Sequence, residues 1–170
     1  MCSQKWPDLL GRDASAVMFA AVTAVAERSF FSVVEACEPA RFSAMAAEIP
    51  RWMVAAVKFT EDDCVGSVSC TMPEELAQAL FDAFTGREPL APAPPADEIL
   101  DLVGEFANIV CGSWLTRLAK NQTFTLHKPS VQPAPDPSQL SAPGARLLIA
   151  INDLPLVVEV RVAATVSAGA

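Results

Sequence analysis

The sequence predicts an α+β fold in which an antiparallel sheet packs with two long helices, and three observations support this prediction. Residues 14–36 and 96–119 have the length and the apolar periodicity of core helices. Two pairs of short apolar segments are each joined by a polar turn, as in β-hairpins. Each half of the chain has a long helix followed by strands, and 170 residues fit one domain over residues 1–170.

The first helix is predicted over residues 14–36. Ala, Val, Met and Phe dominate this segment, and Pro39 is expected to close the helix. Its only charges are Glu27, Arg28 and Glu35. So much apolar surface predicts packing on more than one side of the helix.

A hairpin and a second helix follow. Residues 52–60 and 64–71 are apolar, strand-like segments on either side of a short acidic turn. The second helix opens at Pro73, with acidic residues near the positive end of the helix dipole, and Gly86 ends it.

The rest of the chain is predicted as a helix, a strand and a closing hairpin. A proline-rich connection precedes the helix, and the second proline-rich segment, residues 129–143, is predicted to be a loop without regular structure. In the last strand valines alternate with Glu159 and Arg161, which indicates one buried face. The predicted ranges are a helix over 96–119, a strand over 122–127, and hairpin strands over 146–151 and 156–162.

Composition excludes several classes of function. The net charge is −8 and no run of Lys or Arg occurs, so neither nucleic acid nor an anionic membrane surface is expected as a partner. No stretch of eighteen apolar residues lacks a charge, so no membrane-spanning helix is expected, and residues 1–13 are too charged for a signal peptide. Five cysteines without C-x-x-C spacing and a single histidine predict no metal site. We expect reduced, structural thiols in a cytoplasmic protein.

The long helix over 96–119 carries an unusual polar face. At about 100° per residue, Asp101, Glu105, Asn108 and Gly112 fall within a sector of roughly 60°, opposite the apolar stripe. We call these four residues the motif face. No Lys or Arg is spaced to pair with its acids, and glycine in a helix costs about 1 kcal/mol relative to alanine. Such a face suits close contact with a partner.

Two simpler interpretations of this face stay open. Acidic residues early in a helix are favoured by the helix dipole alone, and a solvated polar face needs no function. Gly104 and Gly112 could instead allow close packing of one helix on another.

Residues 101–112, with the sequence DLVGEFANIVCG, resemble the signature of the CheC, CheX and FliY chemotaxis phosphatases. That signature is an acidic residue or Ser, three residues, Glu, two residues and Asn, followed by a small residue. The element order also agrees, including a strand before Pro129 and a final hairpin, and the CheX branch is the most similar. The resemblance implies a CheX-like domain built from two pseudo-two-fold halves.

By this resemblance the protein is a phosphatase that hydrolyses the phospho-aspartate of a CheY-like response-regulator receiver. Asn108 would orient the attacking water, and Glu105 would pair with the receiver's active-site lysine. Asp101 would support docking, and Gly104 and Gly112 would allow the partner to approach. The protein would need no metal or cofactor of its own, because Mg²⁺ is bound by the receiver. The alternative is a non-catalytic adaptor of the same fold that binds a receiver or another signalling protein.

The resemblance also implies one site per chain and a homodimer formed through strands. Some family members carry a second motif helix, and the nearest match in the first helix is Glu27 to Phe30. Phe30 stands where the second Asn would be, and an aromatic ring has no amide to orient water. His127 and Cys111 are expected to be structural.

Overall fold

The computed structural model describes residues 12–61, 64–88, 91–120, 122–139 and 145–164. The helices are α1 (Arg12–Phe30), α2 (Pro39–Ala46), α3 (Glu74–Thr85) and α4 (Ala96–Leu118), with a 3-10 turn at Pro137–Gln139. The strands are β1 (Val34–Ala36), β2 (Trp52–Glu61), β3 (Cys64–Pro73), β4 (Thr125–Leu126), β5 (Ser130–Ala134), β6 (Ala145–Ile151) and β7 (Leu154–Ala164).

All seven strands form one antiparallel sheet in the order β1-β6-β7-β3-β2-β4, and β5 also pairs with β2. This order is symmetric about the central β7–β3 pair. The β6–β7 and β2–β3 hairpins correspond to each other, and each accepts an edge strand from the other half of the chain. The predicted α+β fold with two halves is therefore confirmed.

The main core lies between the sheet and the long helices α1 and α4. Alternate residues of β2, including Ala55, Val57 and Phe59, are fully buried on this face. A smaller cluster on the opposite face packs α2 on the sheet through Phe42 and Trp52. Both faces of the sheet are thus partly covered, and α4 is held along one of them.

The first helix is shorter than predicted. It ends at Phe30, Phe31 adopts a positive φ of 49°, and Val34–Ala36 pairs with β6. Pro39 opens α2 instead of closing α1. The prediction was wrong because the apolar residues 31–36 fit the periodicity of a helix as well as that of a strand. Proline also suits the first turn of a helix, so Pro39 did not have to mark an end.

The second proline-rich segment is not an irregular loop. It contains β5 and the 3-10 turn, and Pro133 lies in β5 opposite Met53. Proline is tolerated at a sheet edge, where no ladder hydrogen bond is needed from its nitrogen. The strand expected over 122–127 is reduced to Thr125–Leu126.

The other elements agree with the prediction. Gly86, with a φ of 65°, ends α3 in the left-handed conformation. The closing hairpin turns through Asn152 and Asp153, whose φ angles of 48° and 64° match the tight turn that favours these residue types. The acidic turn of the first hairpin at residues 62–63 lies outside the described residues.

The cysteines differ in state. Cys37, Cys70 and Cys111 are free thiols, as expected. Cys64 is disulfide-bonded, so the expectation of reduced thiols was wrong for this residue. Pairing between distant cysteines cannot be inferred from their spacing in the sequence.

Helix α4 is long and apolar enough to cross a membrane, judged by length and composition alone. Its most apolar residues, among them Val103, Phe106 and Val110, are buried in the core of the domain. A core helix passes the same test, and the burial of these residues makes α4 a core helix.

Candidate functional site

Helix α4 is held by its apolar stripe. Val103, Phe106 and Val110 form this stripe and are buried, and the Phe106 ring meets the Phe30 ring edge-on at 5.3 Å. Acidic residues in the first turn and Arg117 in the last complement the helix dipole. The stripe therefore fixes which residues of α4 face outward.

The motif face lies on the outward side. Asp101 and Glu105 are exposed and Asn108 is half-buried. Glu105 and Asn108 are three residues apart, which places their Cβ atoms about 5–6 Å apart on the same side of the helix. Within the described residues, no hydrogen bond or ion pair involves these three side chains. Two carboxylates and one amide are thus available to a partner.

The two glycines of the segment have different surroundings. Gly104 is buried, and a Cβ there would lie 3.3 Å from Pro129 Cβ and 3.4 Å from Val131 Cγ2. Gly112 is half-buried, and a Cβ there would lie 3.7 Å from Leu126 Cδ1. The position of Gly104 supports close packing inside the protein, against a strand and not a helix, and does not support contact with a partner. Gly112 keeps some access to solvent.

Sequence analysis missed the segment of residues 126–129 as part of this surface. Leu126 packs over Gly112 of the motif face, and Pro129 packs over the buried Gly104. The glycines themselves were the signal for this contact, because a helix residue without a side chain admits a neighbouring backbone.

The first helix carries no equivalent of Asn108. Phe30 is fully buried, with its ring 5.6 Å from that of Phe84. Glu27 is exposed in the last turn of α1, whereas Glu105 lies in the middle of α4. One site per chain therefore stays our prediction.

The other candidate residues have structural environments. Burial raises the pKa of the Cys111 thiol to about 12 and also raises that of Cys70, so neither is a thiolate near neutral pH. His127 Nε2 lies 3.4 Å from Thr60 Oγ1. Among the described residues no group of three or more His, Cys, Asp or Glu side chains could hold a metal ion. That the protein uses no cofactor of its own stays a prediction.

Comparison with known proteins places the chain in a family. The family model described as "Chemotaxis phosphatase CheX" matches residues 53–141, just over half of the 170 residues. A search of curated proteins gives no match.

Solved structures with the same fold include three that cover most of the chain. The chemotaxis protein CheX from Vibrio vulnificus is 18% identical, with a TM-score of 0.65 over 89% of this chain and 97% of that one. A CheC-like superfamily protein from Shewanella sp. PV-4 is 16% identical, with a TM-score of 0.63 over 90% and 99%. The CheX–CheY–BeF3–Mg²⁺ complex from Borrelia burgdorferi contains a chain 14% identical, with a TM-score of 0.59 over 86% and 96%. The family match includes the motif face, and the chain belongs to the chemotaxis phosphatase CheX family.

Proposed function

We propose that this protein hydrolyses the phospho-aspartate of a response-regulator receiver domain, with Asn108 and Glu105 as its catalytic residues. The observation that carries the proposal is the motif face. An exposed carboxylate and an amide lie one turn apart on the helix, without partners in the described part of the chain, in a member of a phosphatase family. Unpaired polar groups on a rigid helix suit insertion into another protein's active site.

The reaction depends more on positioning the attacking water than on acid–base catalysis by this protein. Water adds to phosphorus as the bond from phosphorus to the receiver's carboxylate oxygen breaks, and inorganic phosphate leaves with the water's proton. The Asn108 amide would hold this water in line with the leaving oxygen, which converts a random encounter into a fixed geometry. The amide is neutral, so this role does not depend on a proton of this protein.

Glu105 and Asp101 would align the two proteins. Glu105 would pair with the receiver's active-site lysine, and Asp101 would support the docked helix one turn earlier. Mg²⁺ would be supplied by the receiver. A receiver as partner is supported by the relative from Borrelia burgdorferi, whose structure is a CheX–CheY complex with BeF3 and Mg²⁺.

The cellular setting follows from the same proposal. Receivers of two-component systems are cytoplasmic, so this protein would act in the cytoplasm, with no nucleic acid or membrane as partner. A homodimer would form through a sheet edge, where β1 lies on one side and β4 and β5 lie on the other.

Asn108→Ala tests the catalytic role. Loss of one positioned hydrogen-bonding group should lower the rate of receiver dephosphorylation by about 100-fold or more. Alanine is a better helix former than asparagine by up to about 0.7 kcal/mol, so the variant should be at least as stable as the wild type. Phosphate release from a pre-phosphorylated receiver and thermal unfolding measure the two effects.

The matched comparison uses two glutamates. Glu105→Gln should weaken receiver dephosphorylation, while Glu75→Gln, an exposed glutamate of α3, should not. If the wild type binds a receiver but leaves its dephosphorylation rate unchanged, the protein is an adaptor of this fold and the proposal is wrong. An Asn108→Ala variant that works as well as the wild type contradicts the assigned role.

A further inference from the structure

A groove adjoins the C-terminal end of the motif face. It is lined by Gly112 and Thr116 of α4 and by residues of the segment that follows the helix, among them Phe124 and Leu126. Its volume is about 280 Å³. Gly112 belongs both to the motif face and to the groove, so the two surfaces are continuous.

Packing within the protein does not require a glycine at position 112. A Cβ at Gly112 would lie 3.7 Å from Leu126 Cδ1, which is an ordinary van der Waals distance. At Gly104, by contrast, a Cβ would lie only 3.3 Å from Pro129 Cβ. Gly112 lies inside α4, where glycine is less favourable than alanine. What the missing side chain does provide is open space in the groove.

Apolar side chains form much of the groove. Leu115 is 2% exposed, and Phe124 and Leu126 are half-buried. The Thr116 hydroxyl donates a hydrogen bond to the Gly112 carbonyl at 2.8 Å, so its proton is not available to a ligand. An apolar side chain of a partner could therefore enter between α4 and the following segment and exchange water for apolar contacts.

Lys120 is the one charged residue that lines the groove in the described part of the chain. It is exposed and forms no ion pair with any other described residue. A phospho-aspartate site also needs carboxylates to hold Mg²⁺, so a docked receiver would bring anionic groups towards this surface. In a chain with a net charge of −8, a local cation favours the approach and the orientation of such a partner.

The size and position of the groove favour a side chain of the receiver as its occupant. Small-molecule pockets have volumes of about 300–1,000 Å³, and this groove is smaller. A standard protein interface buries about 800 Å² on each partner, which corresponds to a patch with a radius of about 16 Å. Gly112 and Thr116 lie only about 6 Å and 12 Å from Asn108 along the helix axis. A receiver docked on Asn108 would therefore cover the groove.

We propose that the groove receives an apolar side chain of the docked receiver, and that Lys120 binds a receiver carboxylate beside it. This proposal rests on the proposed function and extends the contact surface from the motif face to residues 120–126. Glu105 and Asn108 keep the catalytic roles. The groove adds affinity, and a second point of contact fixes the direction in which the receiver lies along α4.

Gly112→Leu tests the groove, with Ala44→Leu as the matched control. Leucine at position 112 occupies the groove, whereas Ala44 is exposed on α2, on the opposite face of the sheet. Gly112→Leu should raise the Kd for beryllofluoride-loaded receiver at least about tenfold, and Ala44→Leu should leave it unchanged. An unchanged Kd for a folded Gly112→Leu variant overturns the proposal.

Gly112→Ala keeps the test decisive if the leucine variant does not fold. Its Tm should be about 2–4 °C above that of the wild type, because alanine favours the helix and its Cβ meets no close neighbour. Its Kd for the loaded receiver should rise about threefold or more. A Kd equal to that of the wild type would contradict the proposal.

Lys120→Gln tests the cation, with Lys58→Gln as its control. Both variants remove one charge from an exposed lysine, and Lys58 lies on the opposite face of the sheet because its neighbour Phe59 is buried under α4. Lys120→Gln should raise the Kd about two- to fivefold at low salt and less at high salt. Equal effects of the two variants would contradict a contact at Lys120.

Alanine variants of the receiver's exposed apolar residues identify the occupant of the groove. One of them should weaken binding to the wild type and have a smaller effect on binding to Gly112→Leu. If no receiver variant shows this coupling while the wild type is an active phosphatase, the groove proposal is wrong and the proposed function stands. A wild type that dephosphorylates no cognate receiver contradicts the proposed function instead.

Discussion

The Gly66→Ala variant tests how the sheet holds the motif helix. Gly66 in β3 pairs with Phe59 in β2, and the Phe59 ring covers the place of the missing side chain. A Cβ at Gly66 would lie 2.1 Å from Phe59 Cζ and 2.6 Å from Cε2. The ring is fully buried and meets the rings of Trp114 and Phe124 edge-on at 6.1 Å and 6.0 Å. Movement of the ring would therefore displace its buried neighbours.

The expected loss of stability follows from these distances. Non-bonded carbons prefer a separation of about 3.5–4.0 Å, so the ring would have to shift by more than about 1 Å. Overpacking a buried site lowers the free energy of unfolding by about 1–3 kcal/mol, and we expect about 3 kcal/mol for an overlap this large. Alanine also restricts the unfolded chain more than glycine does, which stabilises the folded state by about 0.4–1 kcal/mol. We expect a net loss of about 2 kcal/mol in the free energy of unfolding, or about 4–8 °C in Tm.

Urea unfolding of four proteins measures this effect. In the Phe59→Leu background the ring is absent, so Gly66→Ala should cost less than about 0.5 kcal/mol there, which gives a coupling energy above about 1 kcal/mol. The reasoning is refuted if Gly66→Ala is as stable as the wild type. It is also refuted if the substitution costs the same with and without the ring.

Two further predictions concern the closing turn and a buried thiol. Asn152 accepts a hydrogen bond from the Val33 N–H at 2.9 Å, donates one to Ser32 Oγ at 3.1 Å, and has a φ of 48°. Asn152→Ala should therefore lower the free energy of unfolding by about 2 kcal/mol. Asn152→Gly also loses both hydrogen bonds, but glycine adopts a positive φ without strain, so the loss should be about half as large. The Cys111 pKa is raised by burial from 9.0 to about 12, so the stability it contributes is present below pH 9 and is lost as the pH rises towards 12. Urea midpoints should fall less steeply over this range in Cys111→Ala than in the wild type.

The elements that sequence reasoning predicted well are those with local signals. Gly86 ends α3 because its positive φ is a property of that one position. Asn152 and Asp153 form the closing turn for the same reason. The apolar stripe of α4 and the outward position of Asp101 and Glu105 followed from helical geometry alone.

The elements that it missed depend on contacts between distant parts of the chain. Val34–Ala36 is a strand because it pairs with β6, more than a hundred residues later. Pro133 fits in β5 only because β5 lies at the edge of the sheet, and edge position depends on the order of all the strands. Gly104 was expected to be accessible to a partner, because the sequence around it does not show that Pro129 packs over it.

Phosphate release from a phosphorylated receiver of the same organism tests the central claim most directly. Stopped-flow detection of inorganic phosphate compares the receiver alone, the receiver with wild-type protein, and the receiver with Asn108→Ala. We predict that catalytic amounts of the wild type accelerate release well above the receiver's own rate, and that Asn108→Ala, although folded, loses about 100-fold or more of that acceleration. Release at the receiver's own rate with every cognate receiver would contradict the account.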